Sequence, residues 1–165
     1  MGRGAMGTTV TTEKDFSKPI VRRKRMSARN DGSMRTVVDA GEFGTFTTDE
    51  PTQHGGGGGG PSPLQAVLGA LCGCEAVTFH RTAAELGFVY EGIDFDADFT
   101  IDVRGRMGDR SVRPHFQRVR VEARVRTDES TERLAAVVEE TEARCPVFNL
   151  IRDARVEVDM AWIQV

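Results

Sequence analysis

The spacing of apolar and polar side chains along the chain predicts both strands and helices. Residues 92–104 and 116–126 alternate apolar with polar positions, as half-buried strands do. Residues 62–86 carry apolar side chains at helical spacing, which predicts one long helix. A second helix is expected to begin near residues 127–128, and residues 155–165 form a last predicted strand.

The chain before the first helix predicts a meander of three short strands. The segment 30–32, Asn-Asp-Gly, supplies the residues that a tight hairpin turn needs between the first two strands. Residues 1–17 are rich in Gly and Thr and have no such pattern, which predicts a mobile tail before a single domain of residues 18–165. The order of elements predicts an α+β fold in which helices pack on largely antiparallel sheet. The predicted strands of the meander cover residues 20–28, 33–40 and 42–48.

The first helix has clear start and stop signals and two apolar faces. Ser62 and Gln65 form a capping-box pattern around Pro63, and Gly87 suits the left-handed residue at a helix end. At about 100° per residue, the apolar side chains fall on two opposed faces. Such a helix is expected to be buried on both sides, inside a large domain or between a sheet and a partner subunit. One face carries Val67, Leu71, Cys74 and Thr78, and the other carries Leu68, Cys72, Ala76, Phe79, Ala83 and Leu86.

Cys74 in the first helix and Cys145 in the second are the candidates for chemistry. Pro146 is expected to break the second helix, with a short helical segment following through Ile151. Cys145 precedes this proline as an N-cap, where a helix N-terminus favours the thiolate form. On these features alone, the two cysteines are either buried structural residues or a redox pair. Cys72 points to the other side of its helix and is interpreted as core.

Composition and charge argue against a membrane-spanning or secreted protein. The 165 residues include 22 basic and 25 acidic side chains, with a net charge of −3 and 39% hydrophobic content, which indicates one globular domain. No stretch approaches the roughly 18 apolar residues that span a bilayer. The start lacks the apolar segment of a secretion signal, so a cytosolic location is expected.

The sharpest basic feature is the segment 22–25, Arg-Arg-Lys-Arg. It is either a nucleic-acid patch or a set of solvated charges on an edge strand. The negative net charge and the lack of a nucleic-acid-binding motif favour the second interpretation. Neither a nucleic acid nor a membrane is therefore expected as a partner.

Two further patterns are weak. Gly55 to Gly60 matches the glycine pattern of dinucleotide-binding loops, but any six glycines do, and no parallel strand–helix–strand unit follows. A flexible loop is the simpler interpretation. Cys72 and Cys74 with a histidine would make a zinc site, but cysteines two positions apart on a helix diverge. The sequence therefore predicts no cofactor and no metal. The histidines in question are His54, His80 and His115.

Several segments together resemble the OsmC/Ohr family of thiol-dependent peroxidases. They are Asp-Glu-Pro at 49–51, the glycine-rich loop, GPSPLQAVLGALCGC at 60–74, RGRMGD at 104–109 and ARCPVFNLI at 143–151. The ALxxC pattern in the first helix and Cys-Pro-Val in the second are the most specific parts. The resemblance covers residues 20–165 and favours chemistry over a purely structural role for Cys74 and Cys145.

The resemblance implies an intertwined homodimer, in which each central helix packs against the partner subunit. Cys74 would attack an organic hydroperoxide as a thiolate and become a sulfenic acid. Cys145 would resolve that acid to a disulfide, which an external dithiol or lipoyl-type reductant reopens. The family activates its thiolate with an arginine on an early strand, for which Arg35 is the candidate. The family pairs that arginine with a glutamate, and this chain has Gln65 at the position, which can orient an arginine but carries no charge.

A second function remains open beside the peroxidase. Glu75 directly follows Cys74 and would oppose thiolate formation by repulsion if it lay near the sulfur. Glu75 and Gln65 together favour a non-catalytic member of the same fold. Such a protein would bind a small apolar ligand in the dimer crevice, with Cys74 lining the pocket.

Overall fold

The computed structural model describes residues 16–165, which form two three-stranded sheets and four helices. The first sheet is an antiparallel meander in the order β1-β2-β3. Its strands are β1 (Ser27–Asn30), β2 (Thr36–Asp39) and β3 (Thr45–Thr48). The second sheet contains β4 (Gly92–Ile101), β5 (Phe116–Arg126) and β6 (Glu157–Gln164). The helices are α1 (Pro63–Leu86), α2 (Val103–Arg106), α3 (Thr131–Arg144) and α4 (Pro146–Asp153). The predicted α+β class is confirmed.

The second sheet contains one parallel pair. β4 and β5 are antiparallel, whereas β5 and β6 run parallel. Two strands can be parallel only if the chain crosses back over the sheet between them, and here α3 and α4 form that crossover.

Several of the predicted boundaries are wrong. The second and third strands, expected over residues 33–40 and 42–48, cover only Thr36–Asp39 and Thr45–Thr48, because a turn precedes β2 and a short 3₁₀ helix, Gly41–Phe43, precedes β3. The first strand was expected over residues 20–28, but it begins only at Ser27, so the basic segment 22–25 lies exposed outside any strand. The second helix begins at Thr131 because Ser130, not the segment 127–128, supplies the N-cap by accepting a hydrogen bond from the Arg133 N–H. The strand expected over 92–104 ends at residue 101, where α2 takes over. The predicted tail, residues 1–17, falls almost entirely outside the described residues.

The core lies between the second sheet and the helices. From Val119 to Val125, every second residue of the central strand β5 is fully buried, as its alternating sequence predicts. Two clusters of buried side chains fill this layer. The first contains Leu68, Leu71, Phe116, Val119, Val121, Cys145, Phe148, Ile151 and Val156, and the second contains Phe79, Ala83, Phe88, Val125, Leu134 and Val137.

One face of α1 is buried in the chain and the opposite face is not. The buried stripe consists of Leu68, Leu71, Glu75, Phe79, Thr82 and Ala83. Val67 and Leu86 are exposed in the single chain, so burial of this helix on both sides within one domain, the first of the two expected arrangements, does not occur. The open face carries Val67, Ala70, Gly73 and Val77, and Val77 is 53% exposed. A wide apolar helix face therefore has no cover among residues 16–165.

The six glycines form a closed loop around the side chain of Asp49. Its Oδ2 accepts hydrogen bonds from the N–H groups of Gly57 at 3.2 Å and Gly59 at 3.0 Å. A Cβ at Gly56 would overlap the Glu50 carbonyl, so this position requires glycine. The glycine run is thus explained by close backbone packing.

Candidate active site

Cys145 marks the junction between α3 and α4. Its N–H donates to the Thr141 carbonyl at 2.9 Å and ends α3. Its sulfur accepts from the Phe148 N–H at 3.5 Å, and Pro146 opens α4. The predicted N-cap is confirmed. The side chain is fully buried in the first core cluster.

Cys74 and Cys145 are brought together in the fold. Cys74 is half-buried on α1 and packs against the cluster that contains Cys145. The Cys145 thiol lies within hydrogen-bonding reach of the Cys74 side chain. Both are free thiols in the structure. Two cysteines far apart in sequence are therefore neighbours, with one partly open to solvent and the other enclosed.

Glu75 is the third member of this group. Its side chain is 0% exposed, on the buried stripe of α1, and neither carboxylate oxygen has a partner with ordinary hydrogen-bond geometry among the described residues. The polar group that does interact with it is the Cys145 thiol. Burial raises the pKa of Glu75 to about 7, the Cys145 thiol opposes that rise, and the negative charge of Glu142 adds to it.

The helix N-terminus, expected to favour the thiolate form of Cys145, does lower the pKa of that thiol through the Phe148 N–H, but it is not the dominant influence. Burial raises the pKa of Cys145 to about 12, and the neighbouring Glu75 and Cys74 side chains raise it further against the lowering effect of the Phe148 N–H. Removal from water therefore outweighs the helix end. The repulsion expected from Glu75 acts on Cys145, and also on Cys72, whose pKa is raised mainly by burial.

The position of Glu75 had a signal in the sequence. It lies four residues after Leu71 and four before Phe79, both of which are fully buried. Residues at this spacing share one helix face, so a glutamate between two core positions could have been assigned to the interior. The burial of Glu75 was not predicted because charged side chains are usually exposed to solvent.

Arg35 makes no hydrogen bond or ion pair with the cysteines among the described residues. Its side chain is 49% exposed and its closest acidic partner is Asp31, at 3.8 Å. Gly59 packs beside it, since a Cβ there would lie 3.7 Å from the Arg35 Nε. Within residues 16–165, no hydrogen bond or ion pair connects Arg35 with Cys74 or with Gln65.

Gln65 is occupied at the start of α1. Its Oε1 accepts from the Ser62 N–H at 2.9 Å, while its own N–H donates to the Ser62 Oγ at 3.3 Å. This is the predicted capping box, and it is confirmed. Of the four predicted site residues, the fold of one chain therefore joins Cys74 with Cys145 and leaves Arg35 and Gln65 outside that pair.

Other kinds of site have less support. Among residues 16–165, no three His, Cys, Asp or Glu side chains are grouped so as to hold a metal ion. No helix in the same range is long and apolar enough to span a bilayer. A groove of about 490 Å³ lies beside the segments 89–91 and 126–129 and includes no cysteine.

A family model described as OsmC-like protein matches residues 55–161. The chain belongs to the OsmC-like family. Its matched region contains α1 with Cys74 and the α3–α4 junction with Cys145. No curated protein sequence matches this OsmC-like chain.

Solved structures share the fold at low sequence identity. An OsmC-like protein from Mycoplasma pneumoniae is 14% identical, with a TM-score of 0.76, and the match covers 88% of this chain and 99% of that one. The organic hydroperoxide resistance protein OsmC from Legionella pneumophila is 16% identical, with a TM-score of 0.62 and coverage of 88% and 99%. The organic hydroperoxide resistance protein OhrB of Bacillus subtilis is 18% identical, with a TM-score of 0.58 and coverage of 87% and 98%. These likenesses establish the OsmC-like fold of the chain.

Proposed function

We propose that this OsmC-like protein is a thiol-dependent peroxidase that reduces organic hydroperoxides. The observation that carries the proposal is the contact between a partly open cysteine, Cys74, and an enclosed one, Cys145. A peroxidatic thiol must be reachable by its substrate, and a resolving thiol must be close enough to form a disulfide with it. Two structures with this fold carry the name organic hydroperoxide resistance protein and support the same activity.

The reaction has three steps. The Cys74 thiolate attacks the peroxide oxygen that bears hydrogen, the O–O bond breaks, and the departing alkoxide takes up a proton to become an alcohol. Cys74 is then a sulfenic acid. The Cys145 sulfur attacks it, which forms the disulfide and releases water. An external dithiol, of the lipoyl type, supplies the two electrons that restore both thiols.

A second copy of the chain would complete the site. The open face of α1 is apolar, and three large apolar side chains in or beside the first sheet are exposed, namely Met26, Met34 and Phe46. Surfaces of this kind mark an interface between proteins. In the proposed homodimer, each copy covers the α1 face of the other. The interface would also place Arg35 near a sulfur that it does not reach within one chain.

The dimer is tested by the mass of the protein in solution. Val77→Asp puts a charge in the middle of the open α1 face, where a single chain tolerates it because the position is exposed. Light scattering should give twice the chain mass for the parent and the chain mass for Val77→Asp. His80→Asp, exposed at the border of that face, is the matched control and should remain dimeric. A monomeric parent would contradict the dimer.

A non-catalytic function is the second candidate. It is favoured by Gln65, whose side-chain oxygen is used in the capping box, and by the separation of Arg35 from Cys74. In that case the Cys74 crevice would bind a small apolar molecule without oxidation. Such a protein would bind cumyl alcohol and cumene hydroperoxide alike and consume neither.

Turnover with a chemical reductant separates the two functions. The reduced protein is given excess dithiothreitol or dihydrolipoamide, and the loss of cumene hydroperoxide or hydrogen peroxide is followed over time. The proposed peroxidase consumes the organic peroxide at least about ten times faster than hydrogen peroxide, because an apolar crevice favours the organic group. Cys72→Ala serves as the control and retains this activity. Consumption no faster than that of the reductant alone would contradict the proposal.

A further inference from the structure

Glu75 occupies a position that neither packing nor the peroxide step explains. Its carboxyl group is fully enclosed, both oxygens are without an ordinary hydrogen-bond partner among the described residues, and the Cys145 thiol is the group that it faces. A buried polar group without partners costs free energy that a leucine at the same position would not. We propose that the Glu75 carboxylate accepts the proton of the Cys145 thiol when Cys145 closes the disulfide with Cys74.

The resolving step needs such an acceptor. Burial raises the pKa of the enclosed Cys145 far above neutral pH, so very little of it is a thiolate there. A thiol attacks a sulfenic acid poorly until it loses its proton. Water does not reach the enclosed sulfur, so the proton must leave to a neighbouring group. Glu75 is the neighbour with a free lone pair.

Glu75 is suited to this role at neutral pH. Its own pKa of about 7 means that the carboxylate and the carboxylic acid are both well populated there. A base whose pKa lies near the working pH combines a useful concentration of the basic form with useful basicity. The titratable and charged groups near it are Cys72 and Cys74 on α1, Glu142 on α3 and Cys145 at the start of α4, while Arg152 of α4 acts on Glu142.

The proposed step balances in atoms and electrons. The Cys145 S–H proton moves to the Glu75 carboxylate while the Cys145 sulfur attacks the Cys74 sulfenic acid. The S–S bond forms and the S–O bond breaks, and the protonated Glu75 returns the proton to the departing hydroxide as water. The Cys74 sulfur is reduced by the electron pair that the Cys145 sulfur gives up. Glu75 ends as a carboxylate, ready for another cycle.

A purely electrostatic role for Glu75 predicts that Glu75→Gln forms the Cys74–Cys145 disulfide faster than the parent does. Its negative charge raises the pKa of Cys145, so removing the charge would increase the Cys145 thiolate and speed up the closure. Removal of a proton acceptor slows the closure instead. The sign of the rate change in Glu75→Gln therefore decides between the two roles.

Closure can be measured without any peroxide. The full-length Cys72→Ala protein is treated with one equivalent of 5,5′-dithiobis(2-nitrobenzoic acid), which labels the accessible Cys74 and releases one thionitrobenzoate. Attack by Cys145 on that mixed disulfide releases a second, coloured equivalent. The leaving group needs no proton, so the rate of the second release reports the deprotonation of Cys145 alone. This assay remains valid even if the proposed peroxidase function fails.

We expect Glu75→Gln to slow the second release at least tenfold at pH 7.5. In the parent, the rate should rise with pH and level off above about pH 7, where Glu75 is a carboxylate. In Glu75→Gln, the rate should continue to rise about tenfold per pH unit, because it then follows the small fraction of Cys145 that is ionised without an internal proton acceptor. Glu142→Gln is the matched control. Glu142 accepts a hydrogen bond from the Trp162 Nε1 at 3.1 Å, and the side-chain oxygen of a glutamine at this position can still accept it. It should retain the plateau.

Several outcomes would overturn the proposal. They are an equal or faster release in Glu75→Gln, a plateau at the same pH in both proteins, and a parent that never releases the second equivalent. Glu75→Asp guards against a folding defect, because it keeps a carboxylate at a shorter reach and should restore the plateau at a lower rate. The physiological form of the proposal rests on the peroxidase function. If cumene hydroperoxide leaves Cys74 unoxidised while the release still depends on Glu75, the peroxidase fails and the proton transfer stands.

Discussion

The two halves of the predicted site are built in different ways. Cys74, Glu75 and Cys145 lie where α1 meets the α3–α4 junction, inside a core that one chain completes. Arg35 lies just before β2 and Gln65 lies at the start of α1, where both side chains are largely exposed and make local contacts. The grouping of Cys74, Glu75 and Cys145 is therefore produced by the folding of one chain. Activation by Arg35, in contrast, would depend on assembly with a second copy.

The largest effect on turnover is expected in the enclosed half of the site, which consists of Cys74, Glu75 and Cys145. Cys74→Ser should reduce hydroperoxide turnover by more than about 10³-fold, because a serine hydroxyl does not ionise at neutral pH and does not reduce a peroxide. Cys145→Ser should still be oxidised once at Cys74 and then stop, since no thiol is available to resolve the sulfenic acid. Dimedone labelling followed by mass spectrometry would detect that acid in Cys145→Ser and not in Cys74→Ser. Equal turnover in all three proteins would contradict the pairing.

The exposed half of the site consists of Arg35, Gln65 and the glycine loop between them. Its stability should depend more on close backbone packing than on charge. Gly56→Ala places a methyl group against the Glu50 carbonyl and should lower the free energy of unfolding by about 2–3 kcal/mol. Gly59→Ala is the control in the same loop, because the nearest atom to its Cβ is the Asp49 Oδ2 at 3.3 Å. Urea unfolding of both variants would measure the difference. A Gly56→Ala protein as stable as Gly59→Ala would show that the loop does not need its close packing.

Glu75 makes the stability of the enclosed half depend on pH. Its pKa rises from an ordinary 4.5 to about 7 in the folded protein, so the folded state holds an extra proton between these values. The free energy of unfolding should fall as pH rises through this window, with the full cost present above about pH 7. Glu75→Gln should therefore be more stable than the parent by about 3 kcal/mol at pH 8 and nearly equal to it at pH 4.

Urea unfolding at several pH values provides the measurement for Glu75. Glu142→Gln removes a neighbouring negative charge but leaves Glu75 in place, so it should keep the fall in stability as the pH rises. If Glu75→Gln were destabilised at pH 8, Glu75 would be held by a favourable charge interaction, contrary to its raised pKa.

The smallest effect is expected from the ion pair of Arg35 with Asp31. The two groups are 3.8 Å apart and both are about half exposed, so solvent screens their attraction. Asn at position 31 keeps an oxygen that can accept from the Ser33 N–H, a bond of 3.1 Å in the parent. Asp31→Asn should thus leave the urea midpoint unchanged within error. A clear loss would indicate that the exposed half depends on charge more than the geometry suggests.

Local signals in the sequence were sufficient for much of the fold. The capping box of α1 and the cysteine–proline cap of α4 use residues within one turn of each other, so a short segment determines them. The start of α3 was misplaced because Thr127 and Ser130 are both acceptable caps. Thr127 instead donates its hydroxyl to the Val89 carbonyl, which lies on a distant segment.

The candidate site was predictable only in part. The two cysteines were found through their motifs, but the meeting of Cys145 with Glu75 depends on how α3 and α4 pack on α1, which no local pattern specifies. The glycine run was ambiguous for the same reason. Its need for glycine arises from Asp49 and the Glu50 carbonyl, whose approach is a property of the folded loop.

Peptide mapping of the oxidised protein tests the central claim most directly. The reduced protein is treated with one equivalent of cumene hydroperoxide, alkylated, digested and analysed by mass spectrometry, with the same dose of hydrogen peroxide in parallel. We predict rapid formation of a Cys74–Cys145 disulfide, faster with the organic peroxide, while Cys72 remains a free thiol. If both Cys74 and Cys145 stay reduced, or if Cys72 alone is modified, the claim that the two cysteines form a peroxidatic pair is wrong.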